Sequence, residues 1–187
     1  MISDNATLFS FHSYAPFLLT HQGATWAGDF IPHVTGLPYP PDRYRAADFA
    51  SAVRAVKRRI ADKAPQARVA GLTSYLDETV AEIDTPEKLD AAMQKPFVAA
   101  ARFAADNAIA PGRIILGEFG MIRQEWGNSF VMPAEWRADY LIAKKAIAEK
   151  HGFGWAIWGY SGAFGVVQGF GGEALGDGLL ERVTAAR

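Results

Sequence analysis

Apolar residues fall along this chain in three short β-type runs, separated by longer stretches of helical spacing. The first run, Thr7 to His12, meets Ser13-Tyr14-Ala15-Pro16, where proline ends a ladder. The second, Arg113 to Gly117, is bounded by Pro111-Gly112 and leads into Gly117-Glu118-Phe119-Gly120. The third is Gly154 to Trp158. Between them, Phe17 to Pro41 mixes glycines and prolines with aromatics, which describes a long ordered loop. From Pro41 to Ala64, Phe49, Val53, Val56 and Ile60 recur at spacings of four, three and four, predicting an amphipathic helix ended by Pro65. Val69 to Leu72 reads as a short apolar piece, followed by a polar stretch through Glu82. Asp84-Thr85-Pro86-Glu87 signals a helix start, and Pro96 predicts a break into one helix to about Gln94 and another from Pro96 to Asn107. Pro133-Ala134-Glu135 opens a helix with Trp136, Tyr140, Ala143 and Ile147 on one face, closed by His151-Gly152. A glycine-rich loop, Gly162 to Gly178, precedes a last helix, Leu179 to Ala186, with Asp177 as its cap.

Strands alternating with helices in this order predict an α/β fold with a parallel sheet and outer helices. At 187 residues, half of them apolar, the chain can fill one domain with a substantial core. The net charge of −1 supplies no footprint for nucleic acid, and Arg54 to Arg59 alternates with apolar positions as a solvated helix face would. No run approaches the roughly 20 apolar residues of a membrane span, and Met1 to Asn5 has no leader character. Without cysteine there is no disulfide, thiolate nucleophile or thiolate metal site. His12, His21, His33 and His151 lack ligand spacing, so no metal is expected. Ser13 and Ser161 lack a nucleophile elbow, and no phosphate-cradling glycine loop follows a strand, Gly169 to Gly172 included, so no cofactor is expected either.

Each strand ends in groups that a core does not require: His12-Ser13-Tyr14, Glu118, and Trp158-Gly159-Tyr160. In a parallel sheet these ends converge on one face. A carboxylate with an imidazole, a phenol and an indole suits a sugar: the indole offers a flat plate to pyranose C–H groups, and the carboxylate can attack or stabilise an anomeric carbon. The same residues admit plainer roles. Glu118 can be a hydrogen-bonded structural group and His12 a satisfied core histidine. Trp155 and Trp158, three apart, face opposite sides, which assigns Trp155 to the core and Trp158 to the site.

Phe11-His12-Ser13-Tyr14, Thr20-His21-Gln22-Gly23-Ala24-Thr25-Trp26, Gly117-Glu118-Phe119-Gly120 and Gly154-Trp155-Ala156-Ile157-Trp158, in that order, resemble the C-terminal part of glycoside hydrolase family 5, the cellulase family. The resemblance spans nearly the whole chain. It implies that residues 1–187 are a partial catalytic domain, the portion of a TIM (β/α)8 barrel carrying strands six to eight. It further implies a retaining endo-β-glucanase acting on a polysaccharide, with Glu118 as nucleophile, His12 and Tyr14 lining the site, Tyr14 bonded to the nucleophile, and Trp158 as the platform under the sugar. A secreted or periplasmic parent enzyme is implied as well.

One part of the family pattern is missing. A retaining glycosidase needs a second carboxyl group roughly 5 Å from the first. In the family it belongs to an Asn-Glu-Pro motif that does not occur here, and neither Glu125, Glu135 nor Glu173 stands in a context that replaces it. The expectation is therefore a barrel fragment with unpaired sheet edges, prone to self-association or to pairing with a missing N-terminal half. The alternatives are a non-catalytic carbohydrate-binding or assembly module, or an unrelated α/β binding domain in which Glu118 is structural.

Overall fold

A computed structural model describes residues 6–168 and 171–186. The readings made on Met1 to Asn5 and on Gly169 lie outside the described residues. The elements are β1 (Phe9–His12), α1 (Phe17–Thr20), α2 (Ala46–Lys63), α3 (Gln66–Ala81), α4 (Pro86–Asp106), β2 (Ile114–Phe119), α5 (Ala134–Lys150), β3 (Gly154–Ile157) and α6 (Leu179–Ala185). The strands form one sheet in the order β1-β2-β3, and both pairings are parallel.

Alternation along the strands gives the sheet two unlike faces. One carries Phe9, Phe11, Ile114 and Leu116 against the helices: Phe9 meets Phe103 of α4 at 5.8 Å between ring centroids, and Phe11 meets Phe97 edge-on at 5.4 Å. The opposite face carries Ser10 and His12 from β1, Ile115 and Gly117 from β2, and Gly154 and Ala156 from β3, all exposed or half-buried. No element among the described residues pairs with the outer edge of β1 or β3.

Several helix predictions meet their structures closely. α2 begins at Ala46 rather than at Pro41, where a 3₁₀ turn stands instead, but ends before Pro65 with Phe49, Val56 and Ile60 buried, and Thr85 caps α4 by accepting from Lys88 N at 3.3 Å. Asp177 accepts from Leu179 N at 3.1 Å, with Gly178 between them as the N-cap in the left-handed region.

Three expectations are corrected. The piece Val69 to Leu72 and the polar stretch after it are one helix, α3, which buries Leu72 and Leu76. Pro96 does not divide α4, because Leu89, Met93, Phe97 and Ala104 bury one continuous face that outlasts the lost backbone bond. The loop Phe17 to Pro41 contains α1 and a short 3₁₀ turn at Ile31–His33, runs into a second at Pro41–Arg43, and contributes Leu18, Leu19, Phe30, Ile31, Val34, Leu37 and Tyr39 to the core.

Candidate active site

The irregularity that builds the site is a bulge in β2. Phe11 pairs with Leu116 and His12 with Glu118, so Gly117 is the extra residue on β2 and Glu118 stands beside His12. A Cβ on Gly117 would lie 2.1 Å from Ser10 Oγ, so a larger residue there would require the Ser10 side chain to turn aside. At the next glycine the constraint is harder. A Cβ on Gly120 would meet the backbone carbonyl oxygen of Trp158 at 2.1 Å, and a backbone atom cannot rotate away.

Two side chains converge on one carboxylate oxygen. Tyr14 Oη donates to Glu118 Oε2 at 3.1 Å, and His12 Nδ1 lies 3.3 Å from the same atom. Ser13 N donates to the Glu118 carbonyl at 3.0 Å, locking the two strand ends together. Burial, and then the hydrogen bond to Glu118 and its charge, push the Tyr14 phenol well above its ordinary range, so it stays a donor at neutral pH. His12, Tyr14 and Glu118 are thus brought into one cluster. Trp158 joins β2 through its backbone, its N–H donating to the Phe119 carbonyl at 2.8 Å, and its side chain is 51% exposed. Trp155, assigned to the core from its spacing, is 36% exposed. It lies on the helix side, where its indole N–H donates to Glu149 at 3.2 Å, and among the described residues no strand pairs with the outer edge of β3 to cover it further.

Behind the cluster stand polar groups to which the sequence reading gave no role in the site. Thr20 Oγ1 donates to the Tyr14 carbonyl at 2.8 Å and sits 2.9 Å from His21 Nδ1. His21 is buried in an aromatic cage, stacked on Phe17 at 3.7 Å and edge-on to Tyr14 at 5.0 Å. Burial pushes its pKa down to about 4, which keeps it neutral. From α5, Tyr140 Oη donates to the Ser13 carbonyl at 3.3 Å and Lys144 Nζ donates to Ser13 Oγ at 2.8 Å. The Lys144 ammonium also lies over the Phe97 and Tyr140 rings, at 5.3 and 5.8 Å. The sequence did carry a signal for this face: Tyr140 and Lys144 are four apart on one helix.

Burial pushes Lys144 down to about 7 from its ordinary 10.5, and a pH prediction follows. Between these values the unfolded chain binds a proton that the folded chain does not, so stability rises with pH through that window and falls back as pH drops to about 7. The slope attributable to Lys144 is at most about 1.4 kcal/mol per pH unit. Near pH 10 the buried Tyr14, Tyr39 and Tyr140, all raised by burial, turn the dependence downward. Urea midpoints from about pH 7 to 9.5 are expected to climb in the wild type and to stay flat in Lys144→Met; parallel curves would contradict the assignment.

No protein-family model matches the chain. Endoglucanase 3 of Fibrobacter succinogenes (strain ATCC 19169 / S85) is 24% identical over 166 residues, which cover 89% of this chain and 21% of that protein. Among solved structures, the clostridial cellulose synthase subunit Z of Clostridioides difficile superposes with a TM-score of 0.58 at 20% identity, covering 98% of this chain and 42% of that one. A hyperthermophilic endo-β-1,4-glucanase in complex with substrate gives 0.52 at 20% identity, covering 99% and 41%. The chain shares the fold of part of these solved structures. Its three parallel strands and outer helices resemble the C-terminal part of an endoglucanase TIM barrel, the architecture that the motifs implied. The chain spans about two fifths of these two solved chains and about one fifth of the curated relative.

Proposed function

We propose that this chain carries the nucleophile half of a retaining β-glucan-cleaving site. The observation behind this reading is the convergence of Tyr14 and His12 on a single oxygen of Glu118 at the C-terminal end of a parallel strand. With Oε2 held, Oε1 is the atom that attacks the anomeric carbon. A bond forms from Oε1 to that carbon as the glycosidic bond breaks, and the departing oxygen takes a proton from an acid outside this chain. Water then cleaves the glycosyl ester with that same residue acting as base. Trp158 supports the sugar from below, and Tyr14 keeps donating to Oε2, first as carboxylate oxygen and then as ester carbonyl. The edge of β1, beside an apolar cleft lined by Leu8, Phe9, Phe103 and Ile114, is where the complementary part of a barrel, or a second copy, would pack.

A site with nucleophile but no acid discriminates by leaving group. The chain alone is expected to release a burst of about one equivalent of dinitrophenolate from dinitrophenyl β-cellobioside, whose phenolate departs unprotonated, and then to stall because the base for the second step is missing. Substrates with poor leaving groups should fall behind by about 10²- to 10⁴-fold, the usual contribution of general acid catalysis. Cleavage of cellohexaose by the chain alone at an ordinary kcat of about 1–10³ s⁻¹ would overturn the reading.

A second reading has its own support. The sequence contains no Asn-Glu-Pro, while Trp26, Trp126, Trp158 and Tyr160 are all exposed, as suits a module that binds glycan without cutting it. The two readings part on whether Glu118 reacts covalently.

A further inference from the structure

The loop joining β2 to α5 ends in a side chain that the Glu118 cluster does not use. Trp126 is 95% exposed, an unusual position for the largest apolar side chain. The loop beneath it is held at many points. Ile122 N donates to the Thr20 carbonyl at 2.8 Å, Arg123 N to the Ala163 carbonyl at 2.6 Å, and Met132 N to the Arg123 carbonyl at 2.8 Å. Gln124 Nε2 donates to the Asn128 carbonyl at 2.7 Å, Asn128 N to the Glu125 carbonyl at 3.0 Å, and Phe130 N to Asn128 Oδ1 at 2.9 Å. Gly127 completes the turn at φ 74°. The indole is therefore presented by a bonded loop.

A cleft of about 500 Å³ opens beside the indole, lined by Arg123, Gln124, Glu125, Gly162 and Ala163. Glu125 is 8% exposed; its Oε1 accepts from Trp126 N at 3.1 Å, and its Oε2 has no hydrogen-bond partner among the described residues. A buried acceptor left without a donor is costly unless something supplies one. The lining side chains offer a guanidinium, an amide and a carboxylate around one aromatic plate, with Ala163 the single apolar side chain beside it. Hydroxyl groups that donate and accept, arranged around apolar C–H faces, match that set, and those are the features of a pyranose. A protein-docking hot spot would set its aromatic residue in an apolar surround instead.

We infer that Trp126, with Glu125 and the cleft between them, is a separate contact for a glucan chain longer than the Glu118 cluster alone can hold. This rests on the glucan reading above. Trp126 follows Glu118 by eight residues, in the loop that leaves the C-terminal end of β2.

The test compares dissociation constants of the whole chain for cellobiose and cellohexaose by titration calorimetry. Trp126→Ala is expected to weaken cellohexaose about tenfold and to leave cellobiose within about twofold, whereas Trp158→Ala should weaken both. An unchanged thermal midpoint in Trp126→Ala confirms that the fold is intact, as the exposure of this side chain predicts. If the wild type binds both sugars and Trp126→Ala binds cellohexaose equally well, the inference fails and the glucan reading stands. Binding of neither sugar by the wild type would sink both.

Discussion

Arg137→Met is expected to lower the stability of the chain by about 3–5 kcal/mol, since each buried carbonyl left without a donor costs about 1–3 kcal/mol. Arg137 belongs to α5, is 1% exposed, and spends its guanidinium on the backbone of two loops. Its Nε donates to the Met121 carbonyl at 3.2 Å, just past the end of β2. Its Nη2 donates to the carbonyls of Phe164 and Gly165, at 3.0 and 2.6 Å, in the loop after β3. Burial pushes its pKa down to about 10, which still leaves it charged at neutral pH, and Asp177 at 4.0 Å partly offsets that burial. Methionine fills much of the same volume and donates nothing, so three buried carbonyls lose their partner at once. Lysine keeps the charge but not the fork, so Arg137→Lys should recover less than half of the loss. Against a total stability of about 5–15 kcal/mol the effect is large and easily read from urea unfolding. A midpoint unchanged in Arg137→Met would mean that this staple contributes nothing.

Arg137 also marks the limit of what could be read from the sequence. The three strands were legible because each is a short apolar run stopped by glycine or proline, and their parallel order followed from the helices between them. The ends of those strands were legible too, so His12, Tyr14 and Glu118 were named together before any distance was known. The inner face of α5 was legible only in part. The expected stripe of Trp136, Tyr140, Ala143 and Ile147 does pack against the core, Tyr140 and Ile147 buried and the other two partly buried, but Arg137 and Lys144 are buried beside it. A stripe interrupted by arginine and lysine looks solvated until the carbonyls and the serine that accept from them are in view. The same masking hid α3, whose Val69, Leu72, Leu76 and Val80 do keep helical spacing but lie among Gly71, Thr73 and Ser74. Pro96 misled in the opposite direction, because a local cost was outweighed by burial that only the tertiary fold supplies.

The bulge at Gly117 was beyond sequence reading as well. Gly117-Glu118-Phe119-Gly120 suggested a strand that stops and then presents a carboxylate. β2 instead runs on to Phe119 and slips by one residue, and that slip sets Glu118 against His12. The bulge turns a residue at the strand end into the centre of a cluster.

The largest effect expected of any single substitution falls on Glu118. A 2-deoxy-2-fluoro-β-cellobioside with a dinitrophenolate leaving group needs no acid for its first step. Fluorine beside the reacting carbon slows formation and breakdown of the glycosyl ester alike, so the ester accumulates once the activated group has left. Glutamine at position 118 keeps the size and a carbonyl acceptor but is not a nucleophile, so Glu118→Gln should abolish labelling outright. Its binding of glucan should stay close to that of the wild type, which also separates an enzyme half-site from a module that only holds glycan.

Intact-mass spectrometry of the chain after incubation with that inactivator, followed by peptide mapping, is therefore the most direct measurement. The account predicts one fluorocellobiosyl adduct, carried by the peptide that contains Glu118 and absent from Glu118→Gln. No adduct on the wild-type chain at saturating inactivator, or an adduct that persists in Glu118→Gln, would contradict it.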